Sequence, residues 1–190
     1  MELARKLRMR GYDEQSVQSV VSELAREGLQ NDGKERGSRS LNREPADVRK
    51  CALELLARRE HSAVELARKL RVRGYDEQSV QSVVSELARE GLQNDGRFAE
   101  NYVHHRLERG FGPLRITLEL RERGMGDDLI DLHLDRSAQD WVQRAALARQ
   151  KRFGARLPAT FKDQARQSRF LQQRGFSGDQ IRQIFKTGDE

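Results

Sequence analysis

Four histidines, one cysteine, a Gly-Phe-Gly turn and a dense run of arginines are the residues of this chain with chemical reach. His104 and His105 are adjacent, so on a helix they point about 100° apart and cannot chelate one metal as an i, i+4 pair does. His61 and His133 lack a Cys or His partner at metal-ligand spacing, and no metal or other cofactor is expected. Gly110-Phe111-Gly112 has no preceding strand and no third glycine, so it reads as a helix-to-helix turn rather than a phosphate cradle. No P-loop and no G-x-S-x-G nucleophile elbow occurs. Carboxylates are frequent but stand near Arg or Lys, and no pair is marked for acid–base work. The chain reads as a non-enzyme.

The cations are another matter. Between Trp141 and Gly175, nine basic residues (Arg144, Arg149, Lys151, Arg152, Arg156, Lys162, Arg166, Arg169, Arg174) oppose one acid, Asp163. This local surplus of +8 exceeds the net +6 of the whole 190-residue chain. Such a stretch attracts a phosphate backbone or an acidic protein groove. A milder group precedes it, with Arg106, Arg109 and Arg115 among acids. The candidate contact residues are therefore Arg106, Arg109, Arg115, Arg144, Arg149, Lys151, Arg152, Lys162, Arg166 and Arg169. The aromatics Phe98, Tyr102, Trp141, Phe153, Phe161, Phe170 and Phe185 fall where an apolar helix face or end is expected. They read as core, not as a base-stacking platform.

Helices must position these cations. An Arg-Gly-apolar corner stands at Arg73-Gly74-Tyr75, Arg123-Gly124-Met125 and Arg174-Gly175-Phe176, at offsets of 50 and 51 residues. A period of that size marks stacked supersecondary units. In each corner, Gly takes the left-handed position that closes a helix and the next residue folds back on the last turn. Asp76, Asp127 and Ser177 then cap the following helices, with Ser177 and Gln180 forming a capping box, as Ser62 and Glu65 do upstream. Arg109-Gly110-Phe111 lies off the period, at an ordinary helix end.

The pattern predicts an all-α chain of three tandem three-helix repeats in an elongated, curved array. The expected helices are 48–60, 63–73 and 76–91; 95–109, 113–123 and 127–137; 140–153, 158–174 and 177–186. Pro113 and Pro158 are placed at first helical positions. The repeats span 48–94, 95–138 and 139–190. Val80, Val83, Val84 and Leu87 form the clearest apolar stripe. Apolar residues make up 36% and charged residues 35%, which suits a helical array with wide solvated faces.

Residues 2–33 copy 65–96 at an offset of 63, with Met9 against Val72 the single difference. This duplicated hairpin (1–33), which reads as a very recent duplication or a gene-model artefact, and a Gly/Ser-containing linker (34–47) precede the repeats. The copy lacks a counterpart of Ser62 and is expected to compete with the resident hairpin for the helix at 48–60, the resident copy prevailing. A monomer is expected, with a domain-swapped dimer as the alternative. Cys51, alone, forms no internal disulfide and reads as packing. No run of about 18 apolar residues or secretory h-region is present, so a soluble cytoplasmic protein is expected, with no membrane partner.

Three stretches resemble the RecX family. They are Leu55-Leu56-Ala57-Arg58-Arg59-Glu60-His61-Ser62 with Glu65-Leu66; Asp95-Gly96-Arg97-Phe98-Ala99 with Gly110-Phe111-Gly112-Pro113-Leu114-Arg115-Ile116; and Arg169-Phe170-Leu171-Gln172-Gln173-Arg174-Gly175-Phe176. They occur in family order over 48–185, and residues 1–44 lie outside them. The resemblance implies three tandem three-helix units and a non-enzymatic modulator of RecA. That modulator binds the RecA filament on single-stranded DNA and mostly inhibits its ATPase, strand exchange and co-protease roles. DNA repair and the SOS response are regulated thereby. It also implies fold roles for Ser62, Asp95 and Gly112-Pro113. The alternative is a stand-alone helix-turn-helix-like DNA-binding protein.

Overall fold

Among the described residues, each Arg-Gly-apolar corner closes a helix by the same pair of main-chain bonds. Gly74 N–H donates to the Arg71 carbonyl (2.8 Å) and Tyr75 N–H to that of Leu70 (3.4 Å). Gly175 to Gln172 (2.9 Å) and Phe176 to Leu171 (3.1 Å) repeat the arrangement. So do the bonds at Gly124-Met125 and, off the period, at Gly110-Phe111. These are Schellman closures, in which the glycine must take positive φ: +88° at Gly74 and +89° at Gly175.

The computed structural model describes residues 45–137 and 140–186, together with Glu14, Gln15, Val17, Gln18, Val21 and Ser22 of the copied segment. The rest of the expected hairpin and the linker as far as residue 44 lie outside the described residues. From Pro45 onward, the described residues form nine helices and no strand. The first three are α1 (Pro45–Arg58), α2 (Ala63–Val72) and α3 (Glu77–Arg89). Next come α4 (Asp95–Glu108), α5 (Pro113–Arg121) and α6 (Asp127–His133). The last are α7 (Trp141–Phe153), α8 (Phe161–Gln173) and α9 (Gly178–Lys186).

The chain divides into two compact units, Met1–Phe98 and Ala99–Glu190. In the first, α1 packs on α2 and α3. Val48, Ala52, Leu55, Leu56, Leu66, Leu70 and the α3 stripe Val80, Val83, Val84 and Leu87 make one buried cluster. The α1–α2 connection is a polar knot. Ser62 caps α2 by accepting from Glu65 N–H (3.0 Å). Asp95 accepts from Ala63 N–H (2.9 Å) and from the Gln93 amide (2.7 Å), tying the start of α4 back to that of α2. His61 is buried, its Nδ1 3.2 Å from a Glu65 carboxylate oxygen but not aligned for a hydrogen bond. Burial and the Arg59 charge hold the imidazole below its ordinary pKa despite Glu65. Burial pushes Glu65 up, but two Arg59 hydrogen bonds (2.5 and 3.0 Å) and His61 outweigh it and hold the carboxyl below its usual range.

In the second unit, Val103, Ile116, Leu120, Ile130, Trp141, Ala145, Leu171, Phe176, Ile181 and Ile184 are buried. There α7 packs on α8 and α9, and α5 on α6. The reciprocal bonds of the Ser177–Gln180 capping box are both present, at 2.8 and 3.2 Å.

Several helix ends differ from expectation. α1 begins at Pro45, so the last three residues of the expected linker are helical. α6 stops at His133, four residues early: Leu134 turns extended and buried, and the Trp141 indole donates to the Asp135 carbonyl (2.8 Å). α8 begins at Phe161 because Thr160, accepting from Asp163 N–H (3.1 Å), is a better cap than Pro158 is a start. Gly126, not Asp127, occupies the cap of α6. Phe161 is 87% exposed and is not core.

Candidate functional site

Two main-chain crossings build the site within the second unit. Gly112 N–H donates to the Arg174 carbonyl (2.7 Å) and Leu114 N–H to that of Gly175 (3.1 Å). A Cβ on Gly112 would overlap the Gly175 carbonyl, and one on Gly175 would overlap the Arg115 backbone. The start of α5 and the end of α8 thus touch peptide to peptide, which only glycine permits. The crossing brings the α4 end, α7 and the α8 end around one cleft of about 410 Å³.

Leu107, Leu147, Ala148 and Phe170 give this cleft apolar walls, and Arg109, Arg144, Lys151, Arg152 and Arg174 give it five cations against one carboxylate, Glu108. Arg174 spans it. Its Nη1 donates to the carbonyls of Arg109 (2.5 Å) and Gly110 (3.1 Å), and its guanidinium lies 4.7 Å from the Phe170 ring centre and 5.2 Å from that of Phe111. Burial, then Arg109 and Arg115, lower its pKa, yet a guanidinium remains cationic at neutral pH. Phe111 is a hub, with the Arg106 (4.8 Å) and Arg115 (5.0 Å) guanidinia also over its ring. Ring faces of this kind let like charges gather.

The ten candidate residues separate by where their donors go. Arg109, Arg144, Lys151 and Arg152 line the cleft; Arg144 is also paired with Asp140 (2.7 Å). Lys162, Arg166 and Arg169 are exposed on α8 and do not line it. Arg106 and Arg115 are held by Glu119, at 2.8 and 3.0 Å. Burial would raise that carboxyl, but Arg115 and Tyr102 bond it and, with the charge of Arg106, keep it below its usual range. Arg149 faces inward: it is 4% exposed and donates to the carbonyls of Gly154 (2.9 Å), Ala155 (3.0 Å) and Arg156 (2.9 Å) and to Gln167 (3.1 Å). It fastens the α7–α8 loop. Arg174 was not among the candidates; its place in the third Arg-Gly-Phe corner is the signal that could have found it.

Among the described residues, no three His, Cys, Asp or Glu side chains are grouped to hold a metal, and no helix is long and apolar enough to cross a membrane. His104 and His105 are largely exposed beside Glu108.

Family models match in chain order: the RecX first three-helix domain over residues 49–87, the second over 94–134 and the third over 138–185. The regulatory protein RecX of Halorhodospira halophila is 50% identical over 143 residues, covering 75% of this chain and 89% of the relative. That of Ectopseudomonas mendocina is 41% identical over 146 residues, 77% and 97% of the two chains. The crystal structure of RecX from Lactobacillus salivarius shares the fold, with a TM-score of 0.61 at 23% identity over 75% of this chain and 95% of that one. With three domain models in order and relatives 41% and 50% identical matched over most of their length, this chain belongs to the RecX family of regulatory proteins.

Proposed function

We propose that this chain binds the RecA filament assembled on single-stranded DNA and restrains it, lowering its ATP turnover, strand exchange and co-protease activity and so regulating DNA repair and the SOS response. It acts by binding, as a monomer in the cytoplasm, without catalysis or cofactor. The observation that carries the reading is the cationic cleft of the second unit, in which five basic side chains face one carboxylate. A cleft of one sign with apolar walls concentrates the field on an anionic polymer. Lys151 and Arg152 are exposed at its wall and ready for a phosphate or an acidic side chain.

The test is RecA ATP hydrolysis on single-stranded DNA, with this protein added at doses too low to coat the DNA and at two salt concentrations. Suppression at those doses is expected. Suppression only at DNA saturation would instead indicate competition for DNA. Lys151→Glu with Arg152→Glu should weaken filament binding and, if both meet phosphates, lower the slope of log affinity against log salt by about 1.4. Unchanged binding would move the contact to another face.

A further inference from the structure

The copied segment is not idle. Val17 is fully buried and belongs to the same apolar cluster as Val48, Ala52, Val80, Val84 and Leu87 of the first repeat, and Val21 packs against that cluster. The two valines stand one turn apart on helix, an i, i+4 pair on one face. Around them Glu14, Gln15 and Gln18 are exposed, as are Glu77, Gln78 and Gln81, their counterparts in α3. The copied helix therefore turns inward Val17 and Val21, the counterparts of Val80 and Val84 in α3. It does so without displacing α3, whose Val80, Val83, Val84 and Leu87 all remain buried. The resident hairpin holds its place through Asp95, which bonds Ala63 and opens α4. One cluster thus receives this valine pair twice.

We infer that the first repeat carries a docking site for one amphipathic helix beyond its own three, and that the chain's own copied helix, through Val17 and Val21, occupies it in cis. The occupant is tethered: the stretch 34–44 joins it to α1, whereas α3 is continuous with both neighbours. A short tether of this kind sets an effective concentration on the order of millimolar. A free copy of the segment at micromolar concentration therefore cannot compete until the tethered one is disabled.

The experiment uses the full chain and a fluorescent peptide of residues 2–33. Val17→Asp with Val21→Asp disables the cis helix and leaves α3 untouched. The peptide should bind this variant at least about tenfold more tightly than the wild type, and a peptide carrying the same two substitutions should bind neither. Equal binding to both full chains, or no binding to a variant whose circular dichroism and melting match the wild type, overturns the inference. Should the variant not fold, hydrogen exchange on the wild-type chain decides. Amides at Val17 and Val21 should exchange more slowly than in the free peptide, and equal rates overturn it. Light scattering that reads twice the monomer mass in the wild type would assign the helix to a second chain and overturn occupancy in cis.

Discussion

Gly74 and Gly175 sit in identical local geometry and in opposite surroundings. Both close a helix in an Arg-Gly-apolar corner, with φ of +88° and +89°. A Cβ on Gly74 would meet nothing within 4 Å; one on Gly175 would overlap the backbone of Arg115. The first corner needs glycine for its dihedral alone, and the second also for the approach of another helix start. A short motif dictates the turn, and its neighbour decides how much a change there costs.

Substituting alanine at each corner is the sharpest way to break this comparison. Gly74→Ala should cost about 1–2 kcal/mol, the strain of a left-handed residue. Gly175→Ala adds an overlap that packed interiors resist, for roughly 2–5 kcal/mol in all. Thermal melting of the two variants checks it, and equal losses would mean that the crossing yields freely.

The units also differ in what they do with charge. Residues 45–98 carry ten basic side chains against nine acidic, and 99–186 carry seventeen against eleven. In the first unit, carboxylates are drawn into the α1–α2 knot with Arg59 and Arg97 around them. In the second, surplus cations are sorted into one held inside and several outside. Arg149→Met should therefore cost roughly 2–4 kcal/mol, because three carbonyls and Gln167 lose their donor. Arg152→Met should change stability by no more than about 0.5 kcal/mol while still weakening filament binding. Urea titrations of the pair, set beside filament binding, would expose any failure of this sorting.

Acid gives the smallest and most local contrast. His61 titrates lower in the folded chain than in the unfolded one, so the unfolded chain takes up protons first as pH falls below about 6.5. Stability of the first unit should fall from there. A second loss follows below about 4.5, as Glu65, also depressed by folding, is protonated. Hydrogen exchange at Leu66 and Leu70, compared with Leu120 and Leu171, would read it. His61→Gln should flatten the upper step and leave the lower one. An upper step that survives the substitution would assign it elsewhere.

The helical plan was legible because its signals are local. A glycine three residues beyond the carbonyl it bonds, or a Ser-x-x-Gln box, is complete within one turn. Helix ends set from a distance were misread. The Trp141 indole stops α6 from seven residues beyond Leu134, and Thr160 displaces Pro158 by using its side chain on Asp163. The candidate site was legible as charge but not as geometry. Composition located the cations around α7 and α8. It could not tell that Arg149 folds inward onto its own loop, that Glu119 claims Arg106 and Arg115, or that Arg174 reaches Arg109 across 65 residues. The last of these depends on the crossing at Gly112 and Gly175. The duplication was legible too, and Val17 of the copy lies in one cluster with Val80 and Val84 of α3.

The peptide-to-peptide joint between Gly112–Leu114 and Arg174–Gly175 has a consequence for inheritance and for engineering. Side chains brace this joint, Arg115 donating to the Gln173 carbonyl and Arg174 to that of Gly110, but its two main-chain bonds tolerate no side chain at either glycine. A cut placed between α6 and α7 would strand donors on one fragment and acceptors on the other. The second and third repeats must therefore be transplanted as a single piece, and a chimaera that exchanges one of them has to bring both glycines along.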